Sequence, residues 1–236
     1  MFRKSIMAAT LALAVSLSAV AFGGAPASAA TPVSKTDLQI VRAALVKYGV
    51  PPTSQNSLLS AFARGERWDS ESGAAPVSTE VDQVGGAERT IYRYLDGSVN
   101  VSTVEIPTEV SPEVSAMGIS GCQSYSVTGA KAWRNCKVGW DAATWSVSFT
   151  AAYKYYLGPS YGCYIDSIGG LAHGGVGSFS NDKLEYITRS ANGYTGQCIA
   201  QGSYKRSYEP VGSETVGVKL NLTAEHGGGW TSKVSA

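Results

Sequence analysis

At 236 residues, 44% of them apolar and with 19 basic against 18 acidic side chains, the chain has the material for a hydrophobic core and almost no net charge. Bulk disorder is excluded on that count, and no basic excess exists to neutralise nucleic-acid phosphates. The surpluses are 27 Gly, 13 Tyr and 5 Trp against only 2 His, so aromatic contact is the surface chemistry to look for.

The first 29 residues predict a secretory signal. Arg3 and Lys4 form a basic start, Ile6 to Phe22 is an uncharged apolar run, and Ala27-Ser28-Ala29 is a small-x-small cleavage site. A membrane anchor is the competing reading, but the run is short for a span of about 20 residues and no stop-transfer pattern follows it. The expectation is a secreted, extracellular protein with no stable membrane anchor.

Residues 30–106 read as a small α+β module. Ser34, Thr36 or Asp37 can cap a helix that reaches about Tyr48, with Leu38, Val41, Leu45 and Tyr48 on one face. Gly49 and Pro51-Pro52 stop it, and a second helix from Thr53 or Ser54 carries Leu58, Leu59 and Phe62 until Gly65. The stretch from Glu66 to Ser70 reads as a loop. Three strand-like runs follow, Val77 to Val84, Glu88 to Leu95 and Ser98 to Ile106. Gly85-Gly86 and Asp96-Gly97 join them, and both dipeptides suit the positive φ angles of tight hairpins. Residues 107–117 hold Pro and Glu among small side chains and read as an extended linker; the competing reading is an edge segment lying on one module.

Residues 118–236 read as all-β. Trp145, Val147, Phe149, Ala151, Tyr153, Tyr155 and Leu157 alternate with polar residues, as do Val216, Val218, Leu220, Leu222 and Ala224. Period-two patterning with one polar face is the mark of an antiparallel sheet. Gly-rich turns at short spacing point to a sandwich or a barrel-like domain.

All four cysteines lie in this half. An even count in an exported chain predicts two disulfides, and the absence of C-x-x-C pairs or adjacent His argues against a metal site. A hairpin folded about Gly129 sets Cys122 opposite Cys136, at the separation a disulfide needs. Cys163 then pairs with Cys198 by elimination. No metal or other cofactor is expected.

Two motifs invite a catalytic reading. Gly158-Pro159-Ser160-Tyr161-Gly162 matches the nucleophile elbow of serine hydrolases, with Asp182 or Glu209 and then His226 in permitted order. His226-Gly227-Gly228-Gly229 matches an oxyanion motif. An elbow needs a strand running straight into a helix, whereas strand-like sequence continues here through Tyr164, Ile165 and Ile168. Ser160 is therefore expected to be a turn residue. The run from Gly169 to Gly177 lacks the Gly-Lys-Ser/Thr of a phosphate loop and reads as turns and bulges, from which His173 can project. Asp166, Asp182 with Glu185, and Glu209 with Glu214 read as solvated loop charges; a glycosidase needs two carboxyls about 5–10 Å apart.

Among the aromatics, Trp140 shares its phase with Cys136 and Val138 and is assigned to the core. Trp133 falls on the opposite phase, with Asn135 and Lys137, and is expected to be exposed. Tyr156, Tyr161, Tyr164, Tyr194, Tyr204 and Tyr208 lie in polar or turn-like contexts. Trp133, Tyr156, Tyr161, Tyr164 and His173 are the candidate binding residues, since exposed aromatic rings with polar tips suit sugars or a partner protein.

Four short stretches carry a resemblance. They are the leader, Gly65-Glu66-Arg67-Trp68-Asp69-Ser70, then Tyr94-Leu95-Asp96-Gly97-Ser98-Val99, and finally Ile119-Ser120-Gly121-Cys122 with Asn135-Cys136-Lys137-Val138. Together they resemble a group of secreted actinobacterial proteins of uncharacterised function, with a similar two-part plan. The resemblance implies export and a disulfide across the 122–136 hairpin, and it transfers no catalytic residue. The function expected is a monomeric, non-enzymatic extracellular binding module for a glycan, cell-wall polymer or protein. One alternative is a secreted hydrolase using Ser160 or a carboxylate pair. Another is a secreted toxin or antibacterial effector with residues 34–106 as a pro-segment cleaved in the linker.

Overall fold

The computed structural model describes residues 33–110, 121–158, 161–208, 212–225 and 227–235. The expected signal at 1–29, linker residues 111–117, Ser160, Glu209 and His226 lie outside the described residues.

Helix α1 (Lys35–Lys47) starts where the sequence places its cap: the Ser34 hydroxyl accepts the Asp37 N–H at 3.1 Å. Val41 and Leu45 are buried on its inner face. Helix α2 (Pro52–Ala63) begins one residue earlier than Thr53, because proline at the first helical position has its φ preset and no N–H to satisfy. The stretch expected to be a loop instead forms a single turn, α3 (Asp69–Ser72). Two N–H groups at the start of that turn, which have no partner within it, find side-chain acceptors in the 96–98 turn. Asp96 Oδ2 accepts from the Asp69 N–H at 2.9 Å, and Ser98 Oγ from the Ser70 N–H at 3.0 Å. Trp68 beside it is fully buried, and its indole N–H donates to the Leu58 carbonyl at 3.0 Å.

The remaining elements are strands: β1 (Ser78–Val84), β2 (Ala87–Arg93), β3 (Val99–Glu105), β4 (Thr108–Glu109), β5 (Gln123–Val127), β6 (Ala130–Asp141) and β7 (Trp145–Tyr156). They continue with β8 (Gly162–Gly175), β9 (Ser178–Thr188), β10 (Ser190–Asn192), β11 (Cys198–Tyr208), β12 (Gly212–Thr223) and β13 (Gly228–Ser235). One sheet runs β1-β2-β3-β6-β7-β8-β10 and the other β13-β12-β11-β9. Neither sheet closes on itself, so of the two architectures expected the barrel is ruled out. The strands are antiparallel except that β4 lies parallel to β5, which sets residues 108–109 of the expected linker against the sheet.

The strands of the expected first module do not form a sheet of their own. Ser102 pairs with Trp140, and Val104 with Val138, so β3 continues directly into β6. Alternate residues of β3 are buried on both sides. Val99 and Val101 sit beneath α1 and α2 in a cluster with Leu45, Leu58 and Phe62. Ser102 faces the second sheet, where its hydroxyl meets that of Thr231 at 2.6 Å. The main core lies between the sheets and includes Trp145, Phe149, Ile165, Tyr204, Leu220 and Leu222. β7 keeps the predicted alternation, with Trp145, Val147, Phe149, Ala151 and Tyr153 all buried.

Both expected disulfides are present, Cys122–Cys136 within the β5–β6 hairpin and Cys163–Cys198 tying β8 to β11 in the opposite sheet. The hairpin register differs by one from a turn centred on Gly129. Val127 faces Ala130, so unbroken pairing would set Cys122 opposite Asn135. A bulge between Trp133 and Cys136, with Asn135 at φ 55°, absorbs the extra residue and brings Cys136 to its partner. The same bulge corrects the reading of Trp133. It reverses the inward phase, so Trp133 and Cys136, three residues apart, both point into the core, and Trp133 is only 5% exposed. The Gly169–Gly177 run is likewise mostly strand rather than loop: β8 extends to Gly175, with register shifts against β7, and His173 sits on the strand. Gly175 at φ 111° passes so close to β7 that a Cβ there would lie 2.3 Å from the Thr144 carbonyl oxygen. No helix among the described residues is long and apolar enough to cross a membrane.

Candidate binding face

The turn region joining β7 to β8 gathers much of the tyrosine surplus. Tyr156 pairs with Gly162 and Lys154 with Tyr164, while β10 lies along the far side of β8 with Ser190 opposite Tyr164. Gly162 makes that approach possible, because a Cβ there would lie 2.5 Å from the Ala191 carbonyl oxygen. Tyr161 then meets Tyr194 edge-on, ring centroids 5.1 Å apart, and the two rings stay 41% and 49% exposed. Tyr156, Tyr186, Leu157 and Ile187 are exposed as well.

Two cations hold this surface in place. The Arg189 guanidinium lies 5.2 Å from the Tyr164 ring and 4.9 Å from the Tyr186 ring. Its Nε–H donates to the Ile165 carbonyl at 3.2 Å and an Nη2–H to the Asp166 carbonyl at 3.0 Å. Lys154 Nζ stands 5.0 Å from the centroid of the same Tyr164 ring and donates to Asp166 Oδ1 at 3.0 Å. That hydrogen bond to the carboxylate raises the Lys154 pKa. Cation–π contacts of this kind contribute about 0.5–1 kcal/mol each at exposed sites, enough to bias ring orientation.

Of the five residues picked from the sequence, Tyr156, Tyr161 and Tyr164 meet on this face. Trp133 does not share it. One face of its ring is stacked on Tyr153 at 5.3 Å and it is tilted against Tyr155 at 5.2 Å, so little ring area is left for a ligand. It instead helps to line a cavity of about 330 Å³ with Glu88, Glu105, Lys131, Tyr153 and Gly229. His173 is farther away still, nine residues from Tyr164 along β8, roughly 30 Å at strand spacing. There its ring contacts Phe179 at 4.7 Å and Tyr204 at 5.1 Å, with Nε2 3.3 Å from Asp182. Sequence reasoning missed Tyr186 and Arg189. They flank the point where the chain crosses from β9 in one sheet to β10 in the other, and no period links residues on either side of such a crossing.

The hydrolase motifs find a different setting. β7 ends at Tyr156 and β8 begins at Gly162, adjacent antiparallel strands, so the described residues after the motif's serine run into a strand and not a helix. Glu214 is brought to Glu71 of α3. Both carboxylates engage Arg206 Nη1, at 3.3 and 3.6 Å, which sets them no more than about 7 Å apart. Arg206 is 3% exposed, and its Nε–H donates to the Val176 carbonyl at 2.9 Å. Glu71 also accepts a hydrogen bond from the Thr144 hydroxyl, and Lys233 reaches the Ser70 carbonyl at 2.9 Å. Burial raises the Glu71 pKa against the pull of Arg206, and burial lowers that of Lys233. A cavity of about 170 Å³ adjoins the cluster. Its charges are committed to one another and to α3, a clamp between the helical layer and both sheets.

No family model, no curated protein and no solved structure matches the chain.

Proposed function

We propose that the protein is a monomeric, non-enzymatic extracellular binding module that holds a polysaccharide on the tyrosine face. The observation that carries this reading is the gathering of tyrosines where β7, β8 and β10 meet: Tyr156 pairs with Gly162 beside Tyr161, Tyr161 meets Tyr194 edge-on, and Tyr164 and Tyr186 share the Arg189 guanidinium, with Tyr156, Tyr161, Tyr186 and Tyr194 exposed. Flat rings with a polar hydroxyl offer a sugar both apolar area and a hydrogen-bond partner. Their positions are fixed before binding, which reduces the ordering entropy that association must overcome. Export through the leader, and kinship with the secreted actinobacterial group, belong to the same proposal; two disulfides are in keeping with an oxidising compartment.

The test is retention of the purified mature protein on a panel of insoluble polysaccharides and cell walls, with Tyr161→Ala/Tyr194→Ala as the comparison. The expected result is retention on at least one polysaccharide and its loss in the double variant. Retention on none, with the chain folded, removes the proposal.

A further inference from the structure

We infer that the tyrosine face selects an acidic polysaccharide, one whose sugar rings themselves carry carboxylates, and that Arg189 is the residue that makes the selection. This rests on the face being a polysaccharide site and goes on to name the class of polysaccharide.

Among the described residues no carboxylate stands within ion-pair distance of the Arg189 guanidinium, whereas Lys154 beside it is neutralised by Asp166 at 3.0 Å. The guanidinium is nevertheless held in place. Two of its N–H groups are fixed on the Ile165 and Asp166 carbonyls, and the plane lies against two tyrosine rings. An arginine carries five N–H donors in a planar fork that matches a carboxylate. The donors not used on the backbone therefore belong to a cation already oriented, exposed to solvent and without a carboxylate partner among the described residues.

The position of that cation decides between anions. It sits 4.9 Å from the centroid of Tyr186, one of the exposed rings on which a sugar would rest. A carboxylate attached to a stacked sugar ring is carried to the guanidinium by the stacking itself. A polyol phosphate brings charge but no ring, and leaves the tyrosines without a role. A neutral sugar uses the rings and leaves the cation unanswered. The ring-borne carboxylate is the one chemistry that uses both.

The experiment measures binding of the full mature protein to soluble polygalacturonate, to its fully methyl-esterified form and to a polyglycerol phosphate, at low and at high NaCl. Polygalacturonate is expected to bind about tenfold tighter than the ester, the size of one charge-assisted hydrogen-bonded contact, and to lose that margin at high salt. Arg189→Gln should erase the margin, so that acid and ester bind the variant equally. Arg189→Lys should restore part of it, since the charge returns without the fork. Tyr161→Ala should weaken acid and ester alike. Equal binding of acid and ester, tighter binding of polyglycerol phosphate, or an Arg189→Gln variant that keeps its preference overturns the inference while the polysaccharide reading stands. Failure of every polysaccharide to bind, with only a protein ligand captured, overturns both.

Discussion

Two arginines in this molecule are built alike and placed differently. Arg189 and Arg206 each lie against tyrosine rings, Arg206 at 5.3 Å from Tyr208, and each anchors its Nε–H on a backbone carbonyl. Arg206 is shut between the sheets and α3, where Glu71 and Glu214 both reach it. Arg189 stands at the surface with no carboxylate of the described residues beside it. An unpaired charge inside a protein costs several kcal/mol, so the buried arginine must find its counterions within the chain. Water neutralises the exposed one, which leaves its pairing open to a ligand. The same side chain thus serves cohesion in one region and recognition in the other.

The comparison breaks most visibly at Arg206. Arg206→Met should destabilise the fold by about 3–5 kcal/mol, because it leaves Glu71 and Glu214 buried near each other without their shared cation. The denaturant midpoint measures this, and a loss below about 1 kcal/mol would mean that water reaches the cluster. A smaller effect, with a distinctive sign, belongs to pH. The folded pKa of Glu71 is raised by burial above its ordinary 4.5. The folded chain therefore holds that proton more tightly than the unfolded chain does. The resulting stabilisation is complete below 4.5 and is lost as pH rises through the folded value. Glu71→Gln should remove this contribution, so the variant's stability relative to the parent should fall on acidification from neutrality toward 4.5. A difference that stays flat across that range would show that Arg206 outweighs burial.

The smallest stability effects are expected at the surface. Arg189→Gln and Tyr161→Ala should each shift stability by less than about 1 kcal/mol, since the contacts removed are solvent-exposed. A loss at Arg189 as large as that at Arg206 would make the two arginines equivalent and reduce the tyrosine face to a structural patch.

Much of the scaffold was legible in local pattern. The Ser34 cap, the Leu58/Leu59/Phe62 face and the alternation of β7 all follow from interactions within a few residues, and they stand where the sequence places them. The tyrosine face was half legible. Tyr156, Tyr161 and Tyr164 flank one turn, so proximity along the chain was enough to group them. Trp133 misled because a single inserted residue in β6 reverses which side every later residue faces. Composition does not reveal a bulge.

The order of residues along the chain was enough to indicate antiparallel strands and to pair Cys122 with Cys136 and Cys163 with Cys198. Hydrophobic alternation, hairpin turns and cysteine placement are short-range signals. Tertiary structure decided that β3 joins β6 in one sheet, that Glu71 meets Glu214 around Arg206, and that Arg189 reaches the tyrosines. Those contacts join elements that are distant along the chain or lie across a change of sheet. Local propensity carries no information there, and only the packing of layers brings the side chains together.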